Sequence, residues 1–310
     1  MKALVAHTYG PLESLEFIDL PKPVPGPGQL LVRMEAAALN AIDQVLITGA
    51  ARDALPVRHP FVPGVDVSGV IEAVGAGVTR FGAGEAVMAW NGVPSGALAE
   101  YTLVNATAAA AVRPTGLTAA QGAALPTAAL TAAALLDVAG AAAGDTALVV
   151  GASGGVGSYL VQFAGRAGLV VLATGRTDDQ TFLGDLGARH TIDYQHMDIA
   201  EEALRLVPGG VDVVFDLANA GPALARTAAA VRRGGRLVSP LGGPAAFERG
   251  VTAVYGGTTT PEGRLAALAA LAATGEIRTT VGADYPFAEA RRALTDFATR
   301  HIRGKVTVTF

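Results

Sequence analysis

Short apolar runs separated by turn residues make up the first hundred residues of the chain. Two of these runs, residues 30–34 and 67–74, stand next to glycine- and proline-rich turns at residues 25–28 and 75–77. Short strands divided by such turns are typical of a β-rich, barrel-like domain. The pattern therefore predicts that the chain begins with a domain built mainly of strands.

A second pattern starts near residue 144 and continues to about residue 260. Short, continuous apolar runs alternate there with helical segments, and the runs lie at residues 146–150, 169–174, 190–193, 211–216 and 236–241. Runs without polar alternation suit strands covered on both faces, and strand–helix alternation suits a doubly wound parallel sheet. The second region is therefore predicted to be an α/β domain.

The segment after Pro261 is predicted to form a helix over residues 262–273. Residues 305–310 alternate apolar and polar positions, which predicts a strand that returns to the first domain. The expected division is one domain of residues 1–120 and 262–310, and a second domain of residues 121–261.

Composition narrows the function classes. Among 310 residues, 23 are basic and 27 acidic, so the chain lacks the basic surplus typical of nucleic-acid binders. It has 0 cysteines, which excludes disulfides, thiolate metal sites and a cysteine nucleophile, and fits a reducing cytoplasm. Residues 114–136 carry no charge, but they are mostly Ala, Thr and Gly with Pro126 among them, so we predict a buried helix and no membrane partner.

The strongest functional signal is the glycine-rich turn at residues 151–157, which follows a predicted strand and precedes a helix predicted over residues 158–167. Backbone N–H groups at such a helix N-terminus bind a pyrophosphate. The fingerprint positions would be Ala152, Gly154 and Gly157, so the first departs from glycine. A turn without a ligand and a methyltransferase turn are the alternatives, the latter disfavoured because no acidic residue ends the next strand.

The end of that next strand indicates which nucleotide would bind. An NAD site usually places Asp or Glu there, whereas an NADP site places a cation nearby. Here Arg176 is predicted to pair with a 2′-phosphate, with Thr174 and Thr177 as hydroxyl donors. The acidic residues at 178–179 stand where first-turn acids of a helix are usual. The sequence predicts NADPH rather than NADH.

Several motifs together resemble one protein family. They are the segments GPGQLLVR at residues 26–33, AALNAID at 37–43, PGVDVSGV at 63–70, VGAGV at 74–78, GALAEY at 96–101 and RGKV at 303–306. In these segments the chain resembles the zinc-free medium-chain dehydrogenase/reductase superfamily, in its quinone oxidoreductase (zeta-crystallin-like) and enoyl reductase branch.

The resemblance implies a fold and a metal-free site. The fold would be a GroES-like, β-rich partial barrel plus a Rossmann doubly wound parallel sheet, and relatives are commonly homodimers. Zinc-dependent members carry a zinc-binding histidine where this chain has Val65. The five histidines are scattered without the spacing of a metal site. We therefore expect no bound metal.

The resemblance and the turn together imply a set of cofactor-binding residues. They are Thr127, Thr131, Ala152, Ser153, Gly154, Gly155, Val156, Gly157, Thr174, Arg176, Tyr194, Asn219, Leu241, Gly242 and Lys305.

The resemblance also implies NADPH in the cleft between the domains and hydride transfer to a quinone or to the β-carbon of an α,β-unsaturated carbonyl. Asn40, backbone amides or a ribose hydroxyl would hold the developing oxyanion, and water or Tyr255 would supply the proton. The expected catalytic residues are Asn40, Asp43 and Tyr255, and the expected substrate pocket comprises Asn40, Val45, Trp90, Asn91 and Tyr255.

Residues 44–46 replace a tyrosine that relatives often carry in the substrate pocket, so the resemblance does not fix the substrate. Two other functions therefore stay open. One is an NADPH-binding structural or sensor protein with little turnover, and the other is an enoyl reductase dedicated to one pathway.

Overall fold

The computed structural model describes residues 1–93 and 96–310. The strands, labelled in chain order, are β1 Lys2–Val5, β2 Glu16–Asp19, β3 Gln29–Ala38, β4 Asp66–Val74, β5 Ala86–Trp90, β6 Tyr101–Asn105, β7 Ala109–Val112, β8 Thr146–Val150, β9 Val170–Gly175, β10 His190–Asp193, β11 Val211–Asp216, β12 Val231–Ser239, β13 Ala246–Phe247, β14 Val251–Tyr255, β15 Val281–Pro286 and β16 Lys305–Thr309.

The α-helices are α1 Ala41–Thr48, α2 Ala119–Ala124, α3 Pro126–Ala139, α4 Gly155–Arg166, α5 Gln180–Asp185, α6 Ile199–Leu206, α7 Leu224–Ala228, α8 Arg264–Ala273 and α9 Ala290–Thr299. The chain divides into two compact units. Unit 1 comprises residues 1–127 and 260–310, and unit 2 comprises residues 128–259.

Unit 1 is built around an open, mainly antiparallel sheet. Among the described residues its strands run in the order β15-β16-β3-β4-β5-β7, and β6 also pairs with β3. The long strand β3 pairs with β4 along most of its length, which gives the sheet its centre. The predicted C-terminal strand is confirmed, because β16 pairs antiparallel with β3 and buries Val306 and Val308 in the core of this unit.

Unit 2 is a parallel sheet with helices in its strand connections, as the second sequence pattern predicts. Over the residues described, the order is β10-β9-β8-β11-β12-β14-β13. All neighbouring pairs are parallel except β13 with β14. This is the doubly wound order with its reversal next to β8, the point at which ligands bind such sheets. The sequence pattern missed β13 and β14 at one edge.

The uncharged stretch forms α2 and α3. Among the described residues, the helical segment Ala119–Ala139 is long and apolar enough to cross a membrane, and 78% of its most apolar window is buried within the protein. Such burial is what the core helix of a globular protein shows, and it agrees with the interpretation as a buried helix.

Candidate functional site

A buried polar cluster in unit 1 is centred on Asp66, the first residue of β4. Its Oδ1 accepts hydrogen bonds from the backbone N–H of Thr127 at 2.9 Å and from the Thr127 hydroxyl at 2.6 Å. Its Oδ2 accepts from Asn40 Nδ2 at 2.9 Å and from Lys305 Nζ at 3.3 Å. The carboxylate is fully buried, so these four donors replace its water. Asp66 therefore joins three of the residues predicted from the sequence.

All side-chain N–H groups of Lys305 and Asn40 donate hydrogen bonds to acceptors in this cluster. Lys305 Nζ donates to Leu39 O at 2.8 Å and to Asn40 Oδ1 at 2.6 Å, in addition to Asp66. An ammonium has three N–H donors, so none is spare. The two hydrogens of Asn40 Nδ2 go to Ala38 O at 3.2 Å and to Asp66. Asn40 would have to release one of these bonds to hold a substrate oxygen.

Asp43 lies in the first turn of α1 and is fully buried. Its Oδ2 accepts from the backbone N–H of Asn40 at 2.8 Å, and its Oδ1 accepts from that of Gly64 at 3.1 Å. Burial raises the pKa of Asp43 to about 7, against the opposing effect of the hydrogen bond from Asn40. The carboxyl group therefore holds the turn that precedes Val65 and titrates near neutrality.

The residues predicted for the substrate pocket lie on different elements of the fold. Trp90 ends β5 and stands opposite Asp66 in the register of β4 with β5. Asn91 follows it, and its side chain donates to Leu103 O at 2.6 Å while its backbone N–H donates to Val65 O at 3.0 Å. Val45 is half-buried on α1. The structure thus places Trp90 and Asn91 beside the buried cluster.

The glycine-rich turn in unit 2 connects β8 to α4, as predicted. Gly151 holds the left-handed φ of +81° that the sharp turn requires. A Cβ on Gly157 would lie 2.2 Å from Gly151 O, so only glycine lets α4 pack this close to the turn. A Cβ on Gly154 would lie 3.5 Å from the same oxygen, which is an ordinary contact. The tight-turn position is therefore Gly151, one residue before the predicted Ala152.

The turn is held from the neighbouring strand. The buried Thr174 hydroxyl, near the end of β9, accepts a hydrogen bond from Gly151 N–H at 3.0 Å. Gly154 is the N-cap of the twelve-residue helix α4, whose first N–H groups have no partners within the helix. The sequence predicts Thr174 as a cofactor contact, and the structure shows that its hydroxyl positions the turn.

Arg176 and Tyr194 stand at the carboxyl ends of β9 and β10. The guanidinium donates from Nε to the Tyr194 hydroxyl at 3.1 Å, and this bond raises the pKa of Arg176 above its usual range. The Arg176 backbone N–H donates to Asp179 Oδ2 at 3.0 Å. The Thr177 hydroxyl donates to Asp193 Oδ2. The structure therefore brings the predicted pair of Arg176 and Tyr194 together. The Asp193 carboxylate, which was not predicted from the sequence, lies next to them.

The loop after β11 is organised by Asp216, a fully buried residue at the end of that strand. Its carboxylate accepts from Asn219 N at 2.8 Å, from Asn219 Nδ2 at 2.9 Å and from the Thr227 hydroxyl at 2.6 Å. A buried carboxylate with this many donors fixes the predicted Asn219 at the carboxyl end of the sheet.

Tyr255, the last residue of β14, contacts the loop that follows β12. The tyrosine hydroxyl donates to Pro244 O at 2.6 Å, and burial raises its pKa above the usual 10.0. Leu241 N–H donates to the Ser239 hydroxyl at 3.1 Å, and Gly242 O accepts from Gly221 N–H at 2.9 Å. These bonds hold the predicted residues 241–242 in place.

Further polar residues of the site were not predicted from the sequence, although most of them begin or end a strand that the sequence pattern predicts. Thr131 shares a 2.7 Å hydrogen bond with Thr258, just beyond β14. These residues are Asp66, Asp193, Asp216, Ser239 and Thr258. In the described part of the chain, no group of three or more His, Asp or Glu side chains is arranged to hold a metal ion.

Comparisons with known proteins agree with this architecture. A model described as alcohol dehydrogenase GroES-like domain matches residues 26–114, and one described as zinc-binding dehydrogenase matches residues 186–308. A quinone oxidoreductase of Sus scrofa is 32% identical over 323 aligned positions, which cover 98% of this chain and 95% of the relative. This chain belongs to the quinone oxidoreductase branch of the medium-chain dehydrogenase/reductase superfamily.

Two further members of the superfamily are similar. A chloroplastic quinone-oxidoreductase homolog of Spinacia oleracea is 38% identical over 193 residues, which are 60% of this chain and 58% of that protein. A mycobacterial protein solved in complex with NADPH is 31% identical, with a TM-score of 0.87 and coverage of 100% of both chains. Membership places this chain among oxidoreductases with a nucleotide-binding fold.

Proposed function

We propose that this chain is an NADPH-dependent reductase that delivers hydride to a quinone or to the β-carbon of an α,β-unsaturated carbonyl, and that it works without zinc. The observation that carries the proposal is the glycine turn of unit 2 with Arg176 and Tyr194 on the next strands. The quinone substrate class is supported by the names of the relatives, and the NADPH by the complex of the mycobacterial neighbour.

The residues present fit a dinucleotide. Gly151 holds the left-handed φ that the turn requires, and Gly157 has no room for a side chain. The N-terminus of α4 follows, with N–H groups that have no partners within the helix. Gly154 adds no side chain at the position where a pyrophosphate approaches the backbone. The backbone of residues 152–157 would hold the pyrophosphate, and Arg176 with Tyr194 would hold a 2′-phosphate.

Zinc independence is supported by the donor set. Val65 stands where zinc-dependent members carry a histidine, and the chain has 0 cysteines to supply thiolates. Oxidising an alcohol needs a group that lowers the pKa of its hydroxyl, and a metal ion is the usual one. Reduction of an activated acceptor does not need it, which favours quinones and enones.

Bound NADPH would supply the hydride, and the chain supplies position and protons. In enone reduction a C–H bond forms at the β-carbon, the π electrons move to the carbonyl oxygen, and a proton completes the product. Backbone amides, or Asn40 after release of one of its bonds, would hold that oxygen. The proton comes from water or from Tyr255, which must first release Pro244 O.

The testing experiment measures turnover of a panel of quinones and 2-enones with NADPH and with NADH. We expect turnover well above buffer for at least one acceptor, and an NADPH preference that Arg176→Ala lowers by about tenfold to a hundredfold. The matched control, Arg189→Ala, removes another exposed arginine in unit 2 and should leave the preference intact. Equal affinities for the two nucleotides would contradict the NADPH assignment.

Three other outcomes would redirect the proposal. Tight NADPH binding with no turnover of any acceptor would favour the structural or sensor function. Turnover confined to one enone would favour a dedicated enoyl reductase. Stoichiometric zinc, with activity lost to a chelator, would overturn the metal-free mechanism. We also propose a cytoplasmic homodimer, which light scattering and fractionation would check.

A further inference from the structure

The pocket around Arg176 contains charges of both signs. Its volume is about 340 Å³, and its lining residues are Arg176, Thr177, Gln180, Thr191, Asp193, His196 and Met197. Asp193 ends β10 and stands opposite Gly175 of β9 in the parallel register. Asp193 therefore brings a carboxylate from β10 into this pocket, whereas β9 has no acidic residue.

Asp193 stays ionised over the whole physiological pH range. Its carboxylate accepts from the Thr177 hydroxyl, from His196 Nδ1 at 2.9 Å and from Gln195 N–H at 3.0 Å. These bonds, with that of Thr177 foremost, lower the pKa of Asp193 to about 2. A phosphate monoester in the same pocket would meet a like charge, which opposes its binding.

His196 is the group able to offset that charge. Its side chain is 70% exposed, so protons exchange freely with solvent, and an imidazolium donates from both ring nitrogens. One of them, Nδ1, is already on Asp193. Arg176 is a second cation of the pocket, but its Nε is bound to Tyr194 rather than to Asp193. Other charged groups on neighbouring elements are Asp178, Asp179 and Asp198, together with Asp185 on α5 and Glu201 and Glu202 on α6.

We propose that His196 is a specificity-determining residue for the phosphorylated nucleotide. Its imidazolium neutralises Asp193, so that the pocket carries the positive charge of Arg176 and accepts a phosphate monoester. Without this ring, Asp193 is uncovered and the phosphate is repelled, so the preference for NADPH over NADH should depend on His196. The inference rests on the proposed NADPH function and extends it to a residue that no sequence signal marked.

The experiment measures dissociation constants of NADPH and NADH by nucleotide fluorescence at one fixed pH. The ratio of the two constants isolates the contribution of the 2′-phosphate. We expect His196→Gln to lower the NADPH preference about fivefold. His190→Gln, at an exposed histidine that does not line the pocket, is the matched control.

A double variant separates charge from structure. Asp193→Asn in the His196→Gln background removes the repulsion and should restore the NADPH preference, which a merely structural role would not do. If His196→Gln keeps the wild-type ratio of the two dissociation constants while Arg176→Ala loses it, the role of His196 is overturned and the NADPH assignment stands. A wild-type ratio near one overturns both.

Discussion

Lys305 Nζ lies 3.3 Å from Asp66 Oδ2 in the core of unit 1, although 239 residues separate them in the chain. Both side chains are almost fully buried, and both also bind Asn40. The pair thus ties the C-terminal strand β16 to the start of β4 and to the residue predicted to face the substrate.

The first prediction concerns this pair. Lys305→Met leaves the Asp66 carboxylate buried without its cation, so we expect the free energy of unfolding to fall by about 3–5 kcal/mol. Asp66→Asn in the same chain removes the stranded charge. The double variant should therefore be more stable than the sum of the two single losses, by urea denaturation of all four proteins. Strict additivity would mean that the two charges do not interact.

The second prediction uses three glycines of the same turn and helix. Gly157→Ala places a methyl group 2.2 Å from Gly151 O and should destabilise unit 2 by about 2–4 kcal/mol. Gly154→Ala makes only ordinary contacts, so it should fold normally but bind NADPH at least about tenfold more weakly.

Gly165→Ala is the control for both, because nothing lies within 4 Å of the added methyl group on α4. It should keep NADPH affinity and gain up to about 1 kcal/mol from helix propensity. Thermal unfolding and nucleotide titration distinguish the three variants. Unchanged NADPH affinity in Gly154→Ala would remove the turn from the binding site.

The third prediction concerns the pH dependence of stability. The folded protein keeps the proton of Asp43 up to about pH 7, whereas the unfolded chain releases it near 3.8. The native state therefore binds the extra proton between these values, and stability falls as the pH rises through this window, by up to about 1.4 kcal/mol per pH unit. Above pH 7 the contribution levels off.

Asp43→Asn removes this titration. Urea denaturation from pH 4.5 to 8 gives the unfolding free energies of wild type and Asp43→Asn. Effects of the histidines are common to both proteins and cancel in the difference. This difference should decrease steadily up to about pH 7. A difference that is constant over this range would show that Asp43 does not titrate there.

The fourth prediction concerns Thr174. Thr174→Val keeps the shape of the buried side chain but removes the acceptor of Gly151 N–H, so we expect a loss of about 1–3 kcal/mol in stability and weaker NADPH binding. Thr174→Ser keeps the hydroxyl and should restore both. If valine binds NADPH as well as threonine does, the turn does not depend on this hydrogen bond.

Local patterns were sufficient for much of the architecture. The predicted strands at residues 146–150, 190–193 and 211–216 coincide with β8, β10 and β11, and in the two central strands, β8 and β11, most of the buried residues are apolar. The glycine turn could also be predicted from the sequence, because a sharp strand-to-helix turn favours glycine at positions with a left-handed φ or no room for a side chain. The sequence pattern missed β13 because it is an edge strand of two residues, and β14 because all of its residues except Val251 are partly exposed.

The candidate site was only partly predictable for a different reason. Asn40 and Arg176 belong to recognisable segments, but their hydrogen-bond partners come from distant parts of the chain. Asp66 reaches Lys305 and Thr127, and Asp193 reaches Thr177 from the next strand. Nothing in the local sequence around Asp193 indicates that it shares a pocket with Arg176.

The sequence by itself determined the two-domain order, the turn for a dinucleotide and the absence of thiolate ligands, because each depends on residue type and local spacing. Only the tertiary structure decided which side-chain donors already have acceptors within the protein. The Lys305 ammonium and the Asn40 amide donate all their hydrogens to groups in the buried cluster, and Asp193 adds a negative charge to the Arg176 pocket. Hydrogen bonding and electrostatic charge act through space, so these properties appear only when residues far apart in sequence are brought into contact.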